Sequence, residues 1–524
     1  MAVKIIFLVV FFAITIGIGI YCHKHSTNVN GFVLGGRNVG PWLTAFAYGT
    51  SYFSAVIFVG YAGQFGWKFG IASAWIGIGN AVIGSLLAWV ILGRRTRLMT
   101  RQLNASTMPE YFEKRFDSKS MKLIASVIIF IFLIPYTASL YNGLSRLFEM
   151  AFDIDYSTCI IIMAILTCIY VIAGGYMATA INDFIQGIIM LVGIVVVIVA
   201  VLNVHGGFAQ AFNSLASVQD PTVSSTPGVF ASIFGPDPLG LLGVVILTSL
   251  GTWGLPQMVT KFYAVKSESD IKKGTIISTI FAVIVAGGCY FLGGFGRLLP
   301  SSVVTEGGFD AIIPTLLSPL SDAIIALVII LVLSASISTL SSLVLTSSST
   351  LVLDLIKGVS KKEIDNKKSL LLIRIFVAVF IIISVVIAIF QYNSQDAFIA
   401  QFMGISWGAL AGAFLAPFLF GLYWKKTTKA GVVTSFVFGV GLEFVQLMIS
   451  MKWFSVANIP VLSFVFRNSL FSGVFAMVGG LILVPVVSLL TQKTAPTNTD
   501  EIFSCYERKA LVTVTDSLGE NKEN

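Results

Sequence analysis

Apolar runs recur along this chain from one end to the other. Each is long enough to cross ~30 Å of hydrocarbon as a helix. Transmembrane β-strands would alternate apolar and polar residues with a period of two, and these runs do not. Only 11% of the residues are charged, where a soluble domain carries roughly 25%. The 524-residue chain therefore reads as an all-α polytopic membrane protein.

Thirteen spans are expected, near residues 3–21, 41–66, 69–93, 121–147, 156–174, 179–202, 239–262, 272–297, 320–353, 370–391, 397–423, 430–450 and 464–490. The basic residues test that count. With the N-terminus outside and loops assigned alternately, 27 of the 33 Lys and Arg residues fall on the inner side, as the positive-inside rule requires. The expected placement is a cell membrane, with the N-terminus outside and the C-terminus cytoplasmic. The net charge of +8 then reflects orientation, and no nucleic-acid partner is indicated. The first run is too long and uninterrupted for a signal peptide and has no A-x-A site after it, so it reads as a retained helix. The segment 203–238 is rich in Gly, Ser and Pro, lacks Lys and Arg, and reads as a long external loop with room for a short helix. The polar tail 491–524 reads as disordered and cytoplasmic.

Several function classes drop out. The five cysteines are odd in number and scattered, with no metal-binding CxxC pair. No GxxxxGK[ST] motif supports an ATP-driven pump. His23, His25 and His205 all lie in expected loops, so no intramembrane histidine relay is available. No paired carboxylates, Ser-His pair or metal cluster suggests an enzyme. Work done by this chain must draw on a gradient.

Two spans are unusual. "AFAYGTSYFSAVIFVGYAGQFGW" (45–67) mixes hydroxyls with Gly49, Gly60, Gly63 and Gly66. Such glycines permit either unwinding, which exposes carbonyls as cation ligands, or close helix packing. "VLSASISTLSSLVLTSSSTLVLD" (332–354) holds 11 Ser or Thr in 23 residues. On a helix Ala335, Ser338, Thr339, Ser342 and Thr346 form one stripe. Isolated Ser and Thr mostly bond back to their own helix, but neutral oxygens at this density suit a monovalent cation. A divalent ion would normally want several carboxylates. Asp183 lies about one turn into the sixth span, where a carboxylate is costly and points to function. Arg146 and Arg297 are assigned to the opposite side, which leaves it no arginine partner.

These residues sit in motifs that resemble the sodium:solute symporter family over nearly the whole chain. "FVLGGRNVGPW", "TMPEYFEKRFDS", "YVIAGGYMATAINDFIQG", "GLPQMVTKFYAVKS" and "ISWGALAGAFLAPFLFGLYWKKTTKAG" occur in that family's order. The resemblance implies a LeuT-like core of two inverted five-helix repeats with broken helices at the midplane. Here these would be residues 41–202 and 239–424, preceded by 1–40 and followed by peripheral spans in 425–490. By analogy a sodium ion takes the backbone carbonyls of Thr50, Phe53 and Ala335 and the hydroxyls of Ser338 and Thr339. Some members hold a second sodium, for which Asp183, Ser338, Ser341 and Ser342 are the candidates. By position Ser54, Ile57, Tyr136, Trp253 and Gln257 would line the solute pocket, although Trp253 is equally well explained by core packing. "YFSAVIFVG" looks like the pantothenate and monocarboxylate branches. The proline branch has Asp where this chain has Tyr52, and the sialic-acid branch carries an Arg near Tyr136; both assignments are weakened.

The expectation is a sodium-coupled symporter importing a small organic solute, such as a small carboxylate, an amino acid or a vitamin-like acid, by alternating access. The rivals are a proton-coupled carrier using Asp183, and a solute sensor or ion leak on the same fold. Glu443, within the twelfth span, has no role in this reading.

Overall fold

The computed structural model describes residues 2–22, 28–152, 154–360, 364–393, 399–456 and 458–507. These residues form helices and short turns, with no β-sheet among them beyond the single bridges Val39–Val265 and Asp220–Ser224. We label the principal helices α1 (Ala2–Cys22), α2 (Pro41–Tyr52), α3 (Val56–Gln102), α4 (Lys119–Phe152), α5 (Tyr156–Val204), α6 (Pro238–Leu250), α7 (Pro256–Ala264), α8 (Glu268–Gly294), α9 (Asp322–Thr350), α10 (Asn366–Asn393), α11 (Ile399–Tyr423), α12 (Lys429–Ser450), α13 (Ser469–Leu490) and α14 (Thr499–Phe503). This is a multi-pass membrane protein. Among the described residues ten helices are long and apolar enough to cross a membrane, or eleven with the bent pair Pro238–Gly254 and Pro256–Ala264 taken as one span.

The figure of thirteen divides two of these continuous helices. At 1.5 Å per residue, the 49 residues of α5 would run far beyond one bilayer if straight. The helix breaks at Gly175 (φ 57°, ψ −152°). In α3 the corresponding break is Gly70 (φ 63°, ψ −141°). Both backbone states are open to glycine and strained for other residues.

Helix starts follow local chemistry. The side chains of Thr107, Asp155, Asp237, Ser267, Thr428 and Asn468 each accept a hydrogen bond from a backbone N–H in the first turn they precede, which satisfies donors that no helical carbonyl reaches.

Burial orders the bundle. In its most apolar stretch α9 is 83% buried, whereas α1 is 22% buried and exposes its apolar side chains. α9 packs on α5 and α4, and α11 packs on α12 and α13. α9 is thus surrounded by protein, and its hydroxyls face other helices. Glu443 of α12 is fully buried. Its Oε1 lies over Gly408 of α11, where a methyl group would stand 2.3 Å from it.

One expectation at the ends of the bundle needs correction, and another gains detail. The tail is folded as far as residue 507: Ile502, Phe503 and Cys505 are buried, and the Arg95 guanidinium lies between the rings of Tyr423 and Tyr506 at 4.0 and 4.5 Å. Aromatic anchoring overrides the polar composition; residues 508–524 lie outside the described set, as do His23 and His25. The segment 203–238 does carry a helix, Phe208–Ser217.

Candidate functional site

The second span is broken, though not at a glycine. α2 ends at Tyr52, Phe53 is extended (φ −103°, ψ 127°), and helical structure resumes through the wide turn Val56–Tyr61. The span's glycines serve packing instead. A Cβ on Gly66 would lie 1.9 Å from the Gly293 carbonyl oxygen, and one on Gly49 would lie 2.5 Å from the Phe281 ring. At the break the last carbonyls of α2 lose their helical donors and carry the negative end of the helix dipole.

α9 brings its hydroxyls to those carbonyls. Thr339 Oγ1 lies 3.2 Å from Thr50 O, 3.2 Å from Phe53 O and 3.0 Å from Ala335 O. Ser338 Oγ lies 3.1 Å from Thr50 O and 3.0 Å from Ala335 O. The five oxygens expected to share one ion are therefore gathered in a single buried knot. Two hydroxyls supply two hydrogens, while three carbonyls each offer lone pairs. Acceptors exceed donors, so the cluster suits a small cation, and its neutral oxygens suit a monovalent one.

The second expected set does not converge in the same way. Ser341 Oγ donates back within its own helix, to Ile337 O or Ser338 O, each at 2.9 Å. Ser338 belongs to the first cluster. Ser342 Oγ lies 2.8 Å from Ser51 Oγ and accepts from Lys261 Nζ at 2.9 Å. Asp183 is buried, and neither carboxylate oxygen makes a hydrogen bond among the described residues. Its partner is Lys261, at 4.0 Å. The basic-residue pattern assigns this lysine to an inner loop, yet the half-helix α7 carries it into the bundle, where it is 2% exposed. Below it a cavity of about 20 Å³, room for roughly one water, is lined by Tyr176, Thr179, Ser342, Thr346 and Ser349 and ends at Ser106 and Thr107. The hydroxyl stripe thus serves two places, with Ala335, Ser338 and Thr339 at the knot and Ser342 and Thr346 on this cavity.

The seventh span is broken too. α6 and α7 meet at Leu255 (φ −80°, ψ 121°) with a 49° bend, and Pro256 opens α7. Trp253 and Gln257 flank that break, as Ser54 and Ile57 flank or follow the other. All four are buried, as is Tyr136 of α4. The Tyr136 hydroxyl faces Ser54 and the Trp407 indole. Ser54 Oγ, the Tyr136 hydroxyl, Trp407 Nε1 and both amide atoms of Gln257 have no well-formed hydrogen bond among the described residues. Buried polar atoms left in this way are costly. Trp253 is different: its indole N–H donates to Ile83 O at 3.0 Å, so it braces α3. Trp407, at 1% exposure, was not singled out from sequence. It stands in the quoted "ISWGALAGAF" motif, packs edge-on against Tyr136 at 6.0 Å and stacks with Tyr52 at 6.2 Å.

Hydrogen bonds tie the end of α7 to the segment before α2 and to the end of α3. Val39 N donates to Ala264 O and Lys266 N to Val39 O, both at 3.1 Å. Arg97 donates to Val265 O at 3.1 Å and Lys266 O at 2.6 Å, Arg101 to Arg37 O at 3.0 Å, and Arg37 to Ala105 O. No group of three or more His, Cys, Asp or Glu side chains suited to a metal occurs among the described residues.

Comparison with known proteins agrees with this architecture. Residues 32–439 match the model of the sodium:solute symporter family. Sodium/proline symporters of Staphylococcus aureus strains JH9 and NCTC 8325 are each 30% identical over 503 residues, covering 93% of this chain and 92% of the relative. Among solved structures, a Na+-coupled sialic acid symporter in a substrate-bound outward-open state aligns with a TM-score of 0.70 and 19% identity, covering 93% of this chain and 98% of that one.

Proposed function

Because the chain belongs to the sodium:solute symporter family, we propose that it imports a small organic solute with sodium by alternating access, the ion binding at the oxygen knot between the second and ninth spans. It is a transporter rather than an enzyme, and its LeuT-like fold is that of its structural relative. Thr50, Phe53 and Ala335 would supply carbonyls and Ser338 and Thr339 hydroxyls to the ion. The observation that carries this reading is the Thr339 hydroxyl, within 3.2 Å of three carbonyls from two helices. With sodium present those oxygens turn to the ion and clamp α9 to the broken span; without it they bond weakly to one another. Ion binding thereby biases how α2 sits on α9.

The solute pocket would be formed by Ser54, Ile57, Tyr136, Gln257 and Trp407 where the two broken helices meet. No Arg or Lys is among them. The positive end of α7 and the hydroxyls would meet a small carboxylate, and the aromatic rings its apolar body. Amino acids, small monocarboxylates and vitamin-like acids fit this description. The names of the relatives place proline and sialic acid on the same test list. Tyr52 replaces the aspartate of the proline branch and argues against simple transfer of that substrate. In this reading residues 41–202 and 239–424 are the two inverted repeats and the N-terminus is outside.

The test is a thermal-shift screen of purified protein with amino acids, monocarboxylates, pantothenate, sugars and sialic acid, each in sodium and in potassium. Stabilisation by one solute class in sodium only supports the proposal. Stabilisation regardless of cation would overturn it in favour of the proton-coupled or sensor reading.

A further inference from the structure

Lys261 is buried beside the site yet takes no part in the oxygen knot. Its Nζ is 2.9 Å from Ser342 Oγ, 4.0 Å from Asp183 Oδ2 and 5.2 Å from the centre of the Tyr176 ring. Lys261, Asp183 and Ser342 are 2%, 0% and 4% exposed. An ammonium only donates, so it takes a lone pair of Ser342, whose own hydrogen is free to turn to Ser51 Oγ at 2.8 Å. Among the described residues no other cation lies within ion-pair distance of Asp183. The three groups sit on α7, α5 and α9, so the contact joins three helices.

These are the oxygens that a second sodium ion would need. An ion held by Asp183 and Ser342 would lie in the space that Nζ fills, two like charges in contact in a low-dielectric interior where one carboxylate balances only one of them. Removing the ammonium would leave that carboxylate buried and unbalanced, to be neutralised by a proton or, with the Ser342 hydroxyl beside it, by a sodium ion in the vacated space.

We propose that the Lys261 ammonium is the built-in cation of the Asp183–Ser342 pocket, so that this chain couples one sodium ion, not two, to each solute. The inference rests on the sodium-coupled reading above and adds the residue that sets ion stoichiometry. A tethered cation carries no gradient energy, so it orders the pocket without adding driving force.

The experiment is equilibrium binding of radioactive sodium to purified protein, with Lys261→Gln and Lys261→Arg alongside. Wild type and Lys261→Arg should each bind one sodium per chain, and Lys261→Gln two. Two ions on wild type, or one on a folded Lys261→Gln protein, would overturn the proposal. No binding on wild type would sink the sodium reading itself. Should Lys261→Gln fail to fold, solute accumulation by wild type at zero voltage decides the matter. A tenfold sodium gradient supports about tenfold accumulation of a neutral solute with one ion and about a hundredfold with two, and the larger ratio would overturn the proposal.

Discussion

The hydroxyl of Thr339 lies 3.2 Å from the carbonyl oxygen of Phe53, although 286 residues separate them in sequence. This contact joins the break in the second span to the hydroxyl-rich ninth. Thr339→Ala removes one ion ligand and one of two hydrogens at the knot. The sodium concentration for half-maximal uptake should rise at least about tenfold, a loss of about 1.4 kcal/mol. Thr339→Ser should restore most of it. Uptake rate against sodium concentration is the measurement, and an unchanged half-saturation in Thr339→Ala would contradict the assignment.

Tyr136 and Ser54 present buried hydroxyls without well-formed bonds. If they wait for the solute, Tyr136→Phe and Ser54→Ala should each raise the solute KM by about two- to tenfold, the worth of one hydrogen bond. The fold should keep most of its thermal stability in the absence of solute, because the contacts of Tyr136 with Ser54 and Trp407 are not well-formed hydrogen bonds. A fall in stability with unchanged KM would make these residues structural.

Gly66 and Gly287 separate backbone packing from helix propensity. A Cβ at Gly66 would sit 1.9 Å from the Gly293 carbonyl oxygen, whereas at Gly287 nothing lies within 4 Å. Gly66→Ala should push the second and eighth spans apart and abolish folded protein on size-exclusion chromatography. Gly287→Ala should leave yield and uptake unchanged.

In the segment between α5 and α6, Asp220 accepts from Thr222 Oγ1 at 2.5 Å and Arg297 Nη1 at 2.8 Å. The Thr222 hydroxyl and then the guanidinium hold its carboxyl below the usual carboxylate value. A depressed folded value means the stabilisation is complete above the unfolded value of about 3.9 and is lost as pH falls through the folded one. Thermal stability should therefore be insensitive to this pair between roughly pH 5 and 8 and fall in stronger acid. Asp220→Asn should lower stability at neutral pH and flatten that acid limb.

The hydroxyl stripe was legible in the sequence because its helical spacing is local. Its meeting with Thr50 and Phe53 was implied only by the resemblance, and the structure does bring the Ser338 and Thr339 hydroxyls to those carbonyls. What was not legible depends on which helices meet. Lys261 looked like one more inner-loop cation, since nothing local shows that a half-helix beginning at Pro256 draws it against Asp183. Trp407 was hidden among apolar neighbours. The glycines of the second span left unwinding and close packing both open; the break falls at Phe53 and Ser54, and Gly49 and Gly66 answer to partners on another helix. The polar tail near Tyr506 read as disordered because its partner, Arg95, lies 411 residues away.

The central claim is that a sodium gradient does the work. Purified protein reconstituted into vesicles, with a protonophore present and voltage clamped at zero, should concentrate the solute found in the binding screen when sodium is high outside and low inside. The same vesicles under an equal potassium gradient should only equilibrate it. Accumulation under sodium alone is the predicted result; equal uptake under both cations, or none until a proton gradient is imposed, would contradict it.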